Sequence, residues 1–267
     1  MSSTLLKTLS LTCFILLFTV PLCAQEQPLT RIAFGSCANQ TYPQPIWNSV
    51  IDWNPQLFLF LGDAIYADTY DMDSMRVVYG QMNQISGYRR LKAACPILAI
   101  WDDHDYGEND GGASYTKRDE AQQIFLNFFD EPKNSKRRNT PGIYDVKTYG
   151  PPEQRIQIIL LDVRYFRSTW TEDQITQKRY RAVYDPNLTM LGETQWAWLA
   201  RQLQQPARIR LICSGIQIIN DEHGYECWGN MPLERDRLFK LIQKTQASGV
   251  VFLTGDRHFS ELSVIDG

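Results

Sequence analysis

Six apolar runs punctuate the chain, at positions 31–37 (RIAFGSC), 57–63 (LFLFLGD), 96–103 (PILAIWDD), 155–162 (RIQIILLD), 208–215 (RIRLICSG) and 249–256 (GVVFLTGD). Continuous Val, Ile, Leu and Phe without strict alternation is the pattern of strands covered on both faces. Between them lie segments of helical character at 45–53, 74–94, 117–129, 192–203 and 232–246. The last opens on Pro232, carries Glu234 in its first turn and ends near Gly249, which are start and stop signals for a helix. Strands alternating with helices predict an α/β fold. Two stretches interrupt the alternation. Glu131 to Pro141 concentrates charge and turn residues and reads as a solvated loop rather than a nucleic-acid contact. Trp170 to Met190 is long, polar and aromatic, and reads as a lid or an excursion over the surface.

The amino end changes the picture. One cation, Lys7, precedes an apolar stretch from Leu9 to Val20, then Pro21 and the small Ala24. This is the pattern of a Sec-type signal peptide over residues 1–24, too short for a stable membrane span. A periplasmic or secreted protein is expected, with a lipid anchor at Cys23 as the alternative disfavoured by the bulky Leu22 before it. The remaining chain, 25–267, is long enough for one domain with a substantial core. The whole sequence carries 27 Lys and Arg against 30 Asp and Glu, a net charge of −3, so no nucleic-acid partner is expected from bulk charge. Outside the leader, four cysteines remain at 37, 95, 213 and 227. In an exported protein these would ordinarily pair, and Cys213 with Cys227 is one possibility.

Four of the apolar runs end in residues of metal-ligand type. FGSC gives Cys37, LGDAIY gives Asp63 and Tyr66, WDDHD gives Asp102, Asp103, His104 and Asp105, and LTGDRH gives Asp256 and His258. Sites in α/β sheets form beyond the carboxyl ends of the strands, where residues distant in sequence meet. A lone Asp there is ordinarily a cap, a lone Cys a buried hydrophobe and a lone His a satisfied side chain. Two of the three histidines in the chain nevertheless stand in these junctions beside aspartates, which favours a metal site. Carboxylates and imidazole suit divalent or trivalent ions, one carboxylate can bridge two of them, and thiolate with phenolate favours Fe(III). A pair of ions suits phosphoryl transfer.

FGSC, LGDAIY, WDDHD and TGDRH, in this order and at these spacings, resemble the alkaline phosphatase D (PhoD-like) branch of the calcineurin-like metallophosphoesterases. The likeness runs from about Arg31 to the end, through LDVRYFR, MLGETQWAWL and WGNMPLERDRL. It implies a four-layer α/β/β/α sandwich with two mixed β-sheets. It also implies iron (Fe3+) held by Cys37, Asp63, Tyr66 and His258, with Asp63 bridging to a second divalent ion, commonly calcium, served by Asp103 and Asp256. His104 would then stay off the metals and act on the phosphate, while Arg164 and Arg167 are candidates for phosphate contact, with surface salt bridges the competing reading. The implied function is hydrolysis of phosphate mono- or diesters by metal-activated water in a monomer. The rivals are a mononuclear or two-zinc hydrolase acting on another ester and a secreted binding protein with a degenerate site. Asp105 stands where relatives often have glutamate, and the amino-terminal β-domain of relatives is missing. The chain stops at Gly267, after the expected strand ELSVID, where relatives continue, which leaves open a truncated carboxyl end. His223 is a candidate further ligand or substrate contact beside the plainer reading of a loop residue.

Overall fold

The computed structural model describes residues 28–265, so the segment 1–24 lies outside the described residues. Among the described residues there are seven strands and seven α-helices in an α/β arrangement of two sheets. The first sheet is parallel throughout, in the order β1 (Ile32–Gly35), β2 (Leu57–Leu61), β3 (Ile97–Ile100). The second has β4 (Asp145–Tyr149) antiparallel to β5 (Ile156–Leu160), followed by β6 (Ile209–Ser214) and β7 (Val250–Thr254) in parallel. Only the second sheet is mixed, where two mixed sheets were expected.

β2 and β5 are buried at all five positions, as their unbroken apolar sequences require. Alternate residues of the second sheet enter different cores. Ile156, Ile158, Leu160, Cys213 and Leu253 join the cluster built on β2 and the helices α1 (Ile46–Asp52), α2 (Met72–Gln84), α3 (Ser86–Ala94) and α5 (Arg118–Phe128). Ile159, Leu161 and Ile212 pack instead with Trp196 and Leu199 of α6 (Gly192–Leu203) and Leu238 of α7 (Pro232–Thr245). The second sheet is therefore covered on both faces, which is why its strands lack polar alternation.

Three elements depart from the sequence reading. The helix expected over 74–94 is two helices broken at Ile85, which is extended (φ −67°, ψ 115°), so that Gly87 can lie against Trp47, where a Cβ would collide. Asp71 caps α2 by accepting from the Asp73 N–H at 3.1 Å, which starts that helix earlier than expected. β4 was not anticipated, because an edge strand of half-buried polar residues has no apolar run to betray it. Residues 261–265, read as a strand, form none, and Leu262 and Val264 are exposed there.

The basic stretch in the 131–141 loop turns inward. Arg137 pairs with Glu131 at 2.7 Å and Arg138 donates to the Pro132 carbonyl at 2.9 Å, so these cations close their own loop. The 170–190 excursion also folds onto the core, burying Trp170 and Tyr180 in the α6–α7 cluster. Cys37, Cys95, Cys213 and Cys227 are all free thiols, so the Cys213–Cys227 pairing does not form. Cys213 is fully buried within β6, and the Cys227 thiol is directed to Asn230 Oδ1 at 2.7 Å. Among the described residues no helix is long and apolar enough to cross a membrane.

Candidate metal centre

The carboxyl ends of β1, β2 and β3 meet those of β6 and β7, and glycines allow the approach. Gly62, at φ 100°, lies against Asp102, and Gly255 lies between the Leu61 carbonyl and Ser36. A Cβ at either position would collide with these neighbours. The two sheets thus bring Cys37 after β1, Asp63 after β2 and His258 after β7 together, their ligand atoms all within 4.8 Å of one another. Cys37 Sγ lies 3.5 Å from Asp63 Oδ2, and the Tyr66 hydroxyl is 2.9 Å from His258 Nε2.

Asp63, Asp103 and His104 form a second group within the same distance. Asp103 opens a four-residue helix, α4 (Asp103–Tyr106), so that the WDDHD motif leaves the strand at Ile100 and turns at once. Asp102 and Asp105 cap that turn reciprocally, and Asp105 Oδ2 also accepts from the Ala64 N–H at 3.0 Å, which ties the β2 and β3 loops together. His104 Nδ1 lies 2.7 Å from Asp68 Oδ2, and its ring stacks on Tyr66 with centroids 4.2 Å apart. Asp256 belongs to neither group, although it lies close enough to Asp103 for their charges to interact.

Five residues of this region, Cys37 (φ 60°), Asp63 (54°), Asp68 (41°), Asp256 (74°) and His258 (55°), adopt left-handed backbone. Such conformations cost about 1–3 kcal/mol each in side chains that disfavour them, and they persist where the surroundings over-determine them. The electrostatics point the same way. Burial, then the charges of Asp102 and Asp103, raises the Asp63 carboxyl well above its ordinary range. Burial, then the charge of Glu226, pushes Asp256 up to about 7. Burial likewise raises the Cys37 thiol and the Tyr66 phenol. Among the described residues, Asp63 Oδ1, Asp102 Oδ2 and Asp256 Oδ2 are buried carboxylate oxygens without a hydrogen-bond partner. Thiol, phenol, imidazole and clustered carboxylates with unpartnered oxygens are a donor set that a cation completes, so these residues fit a metal centre.

Arg164 and Arg167 are both fully buried, which removes the surface-salt-bridge reading. Their terminal nitrogens are engaged by protein acceptors. Arg164 Nε donates to Asp102 Oδ1 at 2.8 Å and its other nitrogens grip Glu226, whose carboxyl is drawn down to about 2 against the cost of burial. Arg167 donates to the Gly111 carbonyl at 2.6 Å and stacks on Trp170, with Cζ 4.3 Å from the ring centroid. Sequence reasoning missed Asp68 and Glu226. Asp68 follows LGDAIY by two residues and carried no signal beyond that proximity, while Glu226 sits in a stretch singled out only for its histidine.

The PhoD-like phosphatase family pattern matches residues 32–266. The chain belongs to this family. It is 23% identical over 285 aligned positions to alkaline phosphatase D of Bacillus subtilis, an alignment spanning 91% of this chain and 48% of that protein. A solved PhoD structure superposes with a TM-score of 0.72 at 20% identity, covering 87% of this chain and 52% of the other. A dimetal phosphatase from Danio rerio superposes at 0.55 and 12% identity, covering 86% and 82%. The chain thus spans about half the length of the PhoD relatives it matches, and these likenesses carry the fold.

Proposed function

We propose that the protein is a metal-dependent phosphoesterase that hydrolyses phosphate mono- or diesters. The observation that carries this reading is the convergence of Asp63, which has a buried carboxylate oxygen without a hydrogen-bond partner, with Cys37 and His258 at the junction of the two sheets. Family membership and the names of its relatives support it.

In this reading Cys37, Asp63, Tyr66 and His258 hold iron, and Asp63, Asp103 and Asp256 hold a second divalent ion, calcium. When bound, such ions supply positive charge against the phosphoryl oxygens and ease ionisation of the attacking water. The chain's own contribution centres on His104. Asp68 engages Nδ1 and Tyr66 stacks on the ring, which fixes the imidazole and leaves Nε2 to stabilise the transferring phosphoryl group or protonate the leaving oxygen. Arg164 holds Asp102 and Glu226 in a buried ion-pair network behind the acidic cluster.

The reading extends to a four-layer α/β/β/α order, supported by the division of the second sheet's side chains between two cores. It also takes residues 1–24 as an export leader, placing the mature enzyme in the periplasm or outside the cell; amino-terminal sequencing of exported protein should begin near Gln25. Metal analysis with turnover of bis-p-nitrophenyl phosphate and p-nitrophenyl phosphate tests the function. A protein that binds no stoichiometric metal and hydrolyses neither ester would overturn it.

A further inference from the structure

Beside the end of β7 lies a group of donors that the reading above leaves unused. Arg257 stands between Asp256 and His258, and its side chain is only 20% exposed. Its guanidinium covers the ring of Tyr225, with Cζ 4.2 Å from the centroid, and one terminal nitrogen is 3.8 Å from Asp256 Oδ2. The Nε of Arg257 is buried and meets no acceptor. His223 supplies a second such donor. The Tyr225 backbone N–H donates to His223 Nδ1 at 3.1 Å, so the proton of the neutral imidazole rides on Nε2. That Nε2 is also buried and without a partner. Burial and the positive charge of Arg257 hold the imidazole below its ordinary value, which favours this neutral tautomer.

Buried N–H donors left unmatched are costly, and two of them, one on a guanidinium, call for an anionic oxygen. Lys178, whose aliphatic chain packs on Gly224, adds positive charge to the same corner. The acidic groups facing His223 are otherwise engaged. Glu261 accepts from Gln217 Nε2 at 3.0 Å and from Asn220 Nδ2 at 2.9 Å, and Asp221 pairs with Arg235 at 2.7 Å.

We propose that His223 Nε2–H and Arg257 Nε–H form a subsite for a second anionic oxygen group, a phosphate or a carboxylate, on the alcohol portion of the ester. The inference rests on the phosphoesterase reading and narrows it, because Arg257 adjoins the Asp256 ligand position. A reacting phosphoryl group at the metal centre would then carry its anionic leaving group past this corner. The substrate class is an ester whose leaving alcohol is itself charged.

Propane-1,3-bisphosphonate, 4-phosphonobutanoate and propylphosphonate, none hydrolysable, are titrated calorimetrically into the metal-loaded protein. At least one of the two doubly anionic probes should bind about tenfold or more tightly than propylphosphonate, the scale of one charge-assisted interaction. The stronger of the two distinguishes phosphate from carboxylate. His223→Phe and Arg257→Met should each bring the ratio to within about twofold, whereas His223→Gln, which keeps an N–H donor, should retain part of it. Equal binding of all three by the wild type, or a ratio that survives both variants, overturns the subsite. If Arg257→Met loses metal, His223→Phe decides. A wild type that shows the ratio but hydrolyses no ester would refute the phosphoesterase reading alone, and one that hydrolyses esters without the ratio would refute the subsite alone.

Discussion

Nδ1 of His104 lies 2.7 Å from Oδ2 and 2.9 Å from Oδ1 of Asp68, so a carboxylate from the β2 loop aims the imidazole carried by α4. Burial would lower this histidine's pKa, yet the Asp68 hydrogen bond and the charges of Asp103 and Asp68 outweigh burial and raise it. A raised pKa keeps the protonated form to higher pH. Asp68→Asn should therefore move the alkaline limb of the kcat–pH profile to lower pH and cut kcat about tenfold or more. His104→Ala should cost on the order of 10²-fold, with metal content intact in both variants. An unmoved limb would dissociate Asp68 from the acid, and a metal-free His104→Ala would make His104 a ligand.

Thiol and phenol on one centre have a visible consequence. With Cys37 and Tyr66 both bound to Fe(III), the purified protein should be coloured by ligand-to-metal charge transfer. Cys37→Ser and Tyr66→Phe should each shift or abolish the band in its absorption spectrum. A colourless protein with zinc as its sole stoichiometric metal would overturn the iron assignment.

What was legible in the sequence was whatever burial writes as continuous apolar text. β2, β5 and β6 and the helices around them were readable for that reason, and the ends of the apolar runs at β1, β2, β3 and β7 marked Cys37, Asp63, Asp103 and His258 as neighbours. β4 was not readable, because an edge strand needs no apolar run. Asp68 was hidden because its role depends on the left-handed turn that carries it back to His104, which no local propensity announces. Arg164 and Arg167 read as phosphate contacts or surface salt bridges, and their burial was not legible because burial of a guanidinium depends on partners as distant in sequence as Glu226.

That distance makes Arg164 a sensitive position. It is fully buried and ties Asp102, after β3, to Glu226, before the short helical turn at Trp228–Asn230. Removing one partner of such a cluster strands buried charges, so Arg164→Met should destabilise the fold by about 3–5 kcal/mol. Arg164→Lys should fail to rescue it, since an ammonium cannot grip two carboxylates in the fork geometry of guanidinium. Denaturant titration of the metal-loaded variants measures both. A loss under about 1 kcal/mol for Arg164→Met would show that the network is solvated or dispensable.

The acidic cluster should make the stability of the metal-stripped protein fall as pH rises. Burial is the leading cause that lifts Asp256 and Asp105 from 3.8 to about 7, and it raises Asp63 in the same direction. A carboxyl raised on folding binds more protons in the native state, so its contribution is fully present below about pH 4 and disappears as pH climbs through 7. With chelator present, the unfolding temperature should therefore decline steadily from about pH 4 to about pH 7, an effect worth a few kcal/mol summed over the cluster. Bound cations invert the dependence, because the carboxylates must then be ionised to ligate and protons compete with metal. The loaded protein should hold or gain stability across the same interval. Calorimetric scans at each pH, with and without chelator, measure the difference between the two curves. A stripped protein whose unfolding temperature stays flat or rises over this range would mean that Asp63 and Asp256 are ionised without a cation, and the argument from uncompensated carboxylates to a metal centre would fail with it.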